Sequence, residues 1–124
     1  RHSSDLIAID HPEVARAVRY IHAYYTNSEL TIAAIVRATD SSRRNLDRAF
    51  RAALGRTVAG ELARVRLEQA MRLLDETDMD FDQVAAEAGF TSRDHLRQTL
   101  RRQTGLTPRA YRDRQATRPP ATAD

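Results

Sequence analysis

The sequence predicts an all-α fold of about seven helices, arranged as two helix-turn-helix subdomains joined by a long linking helix. Three observations carry that expectation. Apolar residues recur at helical spacing, as in Val14, Val18, Ile21 and Tyr25, and no segment sustains strand alternation. Cap and stop signals punctuate the chain: Ser42 with Gly55, Asp80 with Gly89, Ser92 with Gly105. A basic helix also occurs twice, with Ser42 matching Ser92 at an offset of 50.

Residues 1–9 show neither helical period nor caps and read as a linker. The first subdomain is expected over residues 10–56. Asp10 or His11 begins its first helix, with Pro12 and Glu13 in the first turn, and Thr26-Asn27-Ser28 ends it. His22, near the apolar stripe, reads as a packed or rim residue. Thr31 caps a short second helix from Ile32 to about Thr39, and Asp40-Ser41 makes the turn. Ser42 caps a third helix running to Leu54, with Leu46, Ala49, Phe50, Ala53 and Leu54 inward. Arg44, Arg48 and Arg51 point the opposite way.

The linking helix is expected within residues 57–77, from about Val58 to Glu76, with an apolar seam of Leu62, Val65, Leu67, Ala70, Met71 and Leu74. The second subdomain occupies residues 78–114. There Asp80 caps a fifth helix through Val84, Ala85 and Ala88, and Ser92 caps a sixth over Arg93–Thr104 with Leu96 and Leu100 inward. Thr107-Pro108 opens a seventh helix through Tyr111. Residues 115–124 read as a disordered tail of Ala, Thr and Pro.

Composition narrows the function classes. At 124 residues the chain can bury one modest core. No run approaches the roughly 20 apolar residues of a membrane span, and no secretory signal is expected, since no N-terminal apolar run precedes a small-residue cleavage site. The absence of cysteine excludes disulfides and thiolate metal sites and fits the cytoplasm. Arg1 is not a start methionine, so a fragment or a processed chain is expected. Net charge is only +3, but residues 41–56 carry five Arg against one Asp, and residues 91–118 eight Arg against two Asp. Basic islands of this kind are the footprint of phosphate binding. An enzyme is disfavoured: His2, His11, His22 and His95 lack ligand spacing, no glycine loop cradles phosphate, and only His95 beside Asp94 suggests catalysis. No cofactor or metal is expected. The remaining alternative is a protein-interaction module whose outer faces bind an acidic partner.

The repeat favours nucleic acid. Arg43 aligns with Arg93, Leu46 with Leu96, Phe50 with Leu100, Arg51 with Arg101, Gly55 with Gly105 and Thr57 with Thr107. The preceding helices align at 49, Asp40 with Gly89, so each copy is a short helix, a turn and a longer basic helix. A linking helix of this length spans roughly 28 Å at about 1.5 Å per residue. Recognition helices about 34–36 Å apart enter successive major grooves of B-DNA, so one chain can place both.

VAAEAGFTS, then Leu96, Leu100, Gly105, Thr107-Pro108 and Tyr111-Arg112, together with SRRNLDRAFRAALG and the helix residues Arg66, Ala70 and Leu73-Leu74, resemble the AraC/XylS family of bacterial transcription regulators. The resemblance covers roughly residues 11–114 and implies a homeodomain-like fold that binds double-stranded DNA. The stretch around Val58 and Arg66–Leu74 is nearest to xylose-regulator-like members. The resemblance implies base contacts from Arg44, Asp47 and Arg48 in the first unit, and from Arg93, Asp94, His95 and Gln98 in the second. Arg can bridge guanine O6 and N7, Gln can pair with adenine, and Asp can accept from cytosine N4. Arg43, Arg51, Arg97, Arg101 and Arg102 are then phosphate contacts. RNA polymerase subunits are implied as partners, as is an effector-binding domain missing from this fragment.

Departures from the family pattern sharpen the expectation. Asp40 and Ser41 replace a glycine and an apolar residue, and Val58 replaces a proline. Asp tolerates a left-handed turn better than most residues. Asp94 puts a negative charge on the outer face of the second basic helix, so more specificity is expected from Ser42–Gly55.

Overall fold

The computed structural model describes residues 10–116, which form seven α-helices and no strand. They are α1 (Pro12–Tyr24), α2 (Ile32–Arg37), α3 (Arg43–Leu54), α4 (Val58–Glu76), α5 (Phe81–Ala88), α6 (Arg93–Thr104) and α7 (Pro108–Ala116). The expected linker at residues 1–9 and residues 117–124 of the expected tail lie outside the described residues.

Local chemistry sets most boundaries. Pro12 opens α1 after His11, which makes no side-chain cap, and the Asn27 side chain accepts from the Glu29 N–H at 2.9 Å in the turn that follows. Thr31 caps α2 by accepting from the Ala34 N–H at 3.1 Å. This helix stops at Arg37, short of the expected Thr39, because the chain is already turning there. The buried Thr39 hydroxyl donates to the Val36 carbonyl at 2.8 Å, Arg16 donates to the Thr39 carbonyl at 3.1 Å, and Asp40 adopts φ 60°. The aligned Gly89 has φ 94°. The two turns thus use the same left-handed backbone, which glycine adopts freely and aspartate at modest cost. α7 continues past Tyr111 to Ala116, so residues 115 and 116, expected in the disordered tail, are helical.

The chain divides into two compact units between Val65 and Arg66, inside α4. The linking helix is therefore no bare connector. Val58, Leu62 and Val65 complete the first core with Val14, Ile21, Ile35, Leu46 and Phe50. Leu67, Ala70 and Leu74 complete the second with Val84, Ala88, Leu96, Leu100 and Tyr111. Met71 packs against this second core while staying half-exposed, and His22 is exposed on α1 rather than packed. Each buried Leu, Ile or Phe contributes about 1.5–3 kcal/mol through apolar burial, so neither short basic helix depends on its intrinsic helicity.

The Tyr111-Arg112 pair closes the second unit. Arg112 donates to the carbonyl of Leu74 at 3.2 Å and of Met79 at 2.8 Å, and its guanidinium lies 5.2 Å from the Phe81 ring centroid. It thereby partners a carbonyl in the last turn of α4, where no intrahelical donor is left. The Tyr111 hydroxyl reaches Asp75 at 3.4 Å.

Candidate nucleic-acid interface

Both basic helices start in the same way. Ser42 Oγ accepts from the Asn45 N–H at 3.1 Å, and Ser92 Oγ from the His95 N–H at 3.0 Å. Both end on a left-handed glycine, Gly55 and Gly105. Leu46 and Phe50, like Leu96 and Leu100, are fully buried, so each helix turns its charged side outward.

On α3, Arg44, Arg48 and Arg51 are exposed and follow one another at i, i+4 and i+7, a single stripe. Among the described residues no side-chain partner meets any of the three. Arg43, also exposed, is 3.8 Å from Asp47. Asp47 is placed differently from the arginines. Its Oδ1 accepts from the Val58 backbone N–H at 2.9 Å, capping the start of α4, and its side chain is only 26% exposed. The departure at Val58 accounts for this bond, since a proline there would offer no N–H. At the equivalent sites of the second copy stand Arg97 and Pro108, and no carboxylate is needed.

On α6 most of the expected readers already have partners. Arg93 makes a two-pronged pair with Asp82, Nε to Oδ1 at 3.1 Å and Nη2 to Oδ2 at 3.2 Å, and lies 5.7 Å from the Phe81 ring centroid. Asp94 accepts from Arg97 at 2.7 Å and from Gln98 at 2.7 Å. The half-buried His95 packs edge-on to Phe90 at 5.0 Å, and its Nδ1 lies 3.2 Å from the Thr91 hydroxyl. Arg101 and Arg102 are exposed and have no side-chain partner among the described residues.

Sequence reasoning missed Asp82 and Thr91 as partners of Arg93 and His95. It also missed Glu61, buried at the first turn of α4 and held by Arg56 at 2.7 Å and Arg64 at 2.9 Å. Burial pushes the Glu61 carboxyl up, but the bonds and charges of Arg64 and Arg56 outweigh it and leave the pKa below its ordinary value. Burial alone lowers the pKa of Arg66.

Residues 35–114 match the helix-turn-helix domain family. The xylose operon regulatory protein of Escherichia coli K12 is 26% identical over 113 residues, covering 91% of this chain but only 29% of that protein. The DNA-binding domain of AdpA, a global transcriptional factor solved with a target DNA, is 33% identical with a TM-score of 0.79, covering 87% of this chain and 96% of the other. An AraC-type transcriptional regulator from Chromobacterium violaceum is 30% identical with a TM-score of 0.75, covering 90% and 99%. The chain belongs to the helix-turn-helix domain family, as an AraC-type DNA-binding domain of a transcription regulator.

Proposed function

We propose that this domain recognises specific double-stranded sequences by placing the first turns of α3 and α6 in major-groove segments of one duplex. The observation that carries this reading is the stripe of Arg44, Arg48 and Arg51, without side-chain partners among the described residues, on a helix that fully buries Leu46 and Phe50. Arg44 and Arg48 read bases. Arg43, Arg51, Arg101 and Arg102 hold phosphates, and Arg93, His95 and Gln98 form a second reader in which Arg93 and His95 must first loosen their own contacts. Asp47 serves the fold through Val58 and contributes to recognition by steadying Arg43. The chain spans 29% of its xylose-regulator relative. An effector-binding domain elsewhere in the intact regulator, contacts with RNA polymerase subunits and a cytoplasmic setting complete the reading.

Titrating random duplex at rising salt tests it. About four neutralised phosphates give a slope of log K on log salt near −3 to −4. No duplex binding at low salt, with capture of an acidic protein instead, would replace DNA by the acidic partner.

A further inference from the structure

Both carboxylate oxygens of Asp94 are committed within α6. Oδ1 accepts from Arg97 Nε at 3.2 Å and Nη2 at 2.7 Å, and Oδ2 accepts from Gln98 Nε2 at 2.7 Å. An ionised carboxylate only accepts, so the group that Gln98 turns toward it must be its NH2. That bond decides which way the amide is turned. When the N–H turned away from Oε1 makes this bond, the second N–H lies beside Oε1 and the two form a donor–acceptor edge. In the major groove adenine offers the complement, an N7 acceptor beside an N6 donor. Guanine offers two acceptors, N7 and O6, so Oε1 would meet O6 oxygen to oxygen. Arg97, tied to Oδ1, is at the same time kept from phosphates.

We propose that Asp94 is a positioning residue that turns Gln98 to read adenine and withholds Arg97 from the DNA backbone. Selectivity at one base pair is thereby gained at the expense of non-specific affinity. The proposal rests on the reading that α6 enters the major groove. It differs from direct contact of Asp94 with cytosine, because Arg97 and Gln98 already take three of the carboxylate's roughly four acceptor sites. It also explains how an acid is tolerated on the outer side of a DNA-binding helix: two hydrogen-bonding neighbours spread its charge.

Selection from a random-duplex pool, followed by titration of the selected duplex and its single-base variants, tests this with four proteins. Gln98→Ala is expected to abolish a preference of about tenfold for adenine over guanine at one position, since a bidentate pair discriminates by roughly that factor or more. Asp94→Ala is expected to lose most of the same preference, to bind random duplex more tightly, and to steepen the salt slope by about one as Arg97 gains a phosphate. Asp94→Asn, which keeps an oxygen acceptor for the amide, should retain the adenine preference while showing the steeper slope. The Asp94→Ala/Gln98→Ala double variant should be no less selective than Gln98→Ala alone, as expected of two residues acting as one unit. An intact adenine preference in Asp94→Ala overturns the proposal. So does a lost cytosine preference, which would make Asp94 a base contact, or a uniform loss on all duplexes, which would make it a fold residue. Unchanged base preference in Gln98→Ala overturns it differently, by removing α6 from the readers altogether.

Discussion

The two basic helices share caps, length and buried positions, yet they differ in how many of their outward charges are already paired. α3 carries Arg44, Arg48 and Arg51 without side-chain partners among the described residues, whereas α6 has Arg93 on Asp82 and Arg97 on Asp94. In the proposed complex, DNA at α3 meets guanidiniums that give up only water. DNA approaching α6 must displace or share existing ion pairs. Such pairs are exposed and individually weak, about 0.2–1 kcal/mol, so they tune the second helix rather than silence it. The two copies thus share a scaffold and differ in where one acid points: Asp47 to the Val58 N–H, Asp94 to Arg97 and Gln98 along α6.

The largest effects test whether the shared scaffold is equally sturdy. Phe50→Ala should cost about 3–5 kcal/mol in denaturant unfolding, and the aligned Leu100→Ala about 2–5 kcal/mol. A cost below about 1 kcal/mol at either site would show that its core can collapse around the gap. Next come the outward charges. Arg48→Ala should cost roughly 1–3 kcal/mol on the preferred duplex and relax one base position, while Arg101→Ala should weaken all duplexes alike and lower the salt slope by about one. Sequence-selective loss in Arg101→Ala would move it among the readers.

Smaller effects separate the two acids. Asp47→Ala should cost about 0.5–2 kcal/mol of stability, the worth of a helix cap. In a Val58→Pro background, which gives the first copy the residue of the second, that cost should largely vanish; an undiminished cost would assign Asp47 some other role. The smallest effect is the pH response of Glu61, because burial of the carboxylate offsets much of what its two arginines supply. Its pKa in the fold is lowered from 4.5, so its contribution is present above that value and fades as pH falls through the lower, folded one. Thermal unfolding between pH 6 and pH 3 should show this component lost in Glu61→Gln and present in the wild type.

Helix ends and both cores were legible because their signals are local or periodic. Ser42 with Gly55, and Ser92 with Gly105, mark two helices without reference to the rest of the chain. The left-handed turn at Asp40 followed from its alignment with Gly89. The Asp94–Arg97 pair stands at the i,i+3 spacing that brings side chains together on a helix. Contacts between elements were not legible. Asp47 to Val58 and Asp82 to Arg93 both span eleven positions across a turn, a separation that no helical spacing rule flags. Glu61 was missed because an acid in the first turn of a helix has an adequate explanation in the helix dipole. Its burial depends on where Arg56 and Arg64 fold over it.

The central claim is that α3 supplies more base specificity than α6. Its most direct measurement is a random-duplex selection with the wild type, an Arg44→Ala/Arg48→Ala variant and an Arg93→Ala/Gln98→Ala variant, comparing preference at every base pair. The α3 variant should flatten the more strongly preferred positions, and the α6 variant should flatten fewer and weaker ones. Equal or greater loss from the α6 variant would contradict the account.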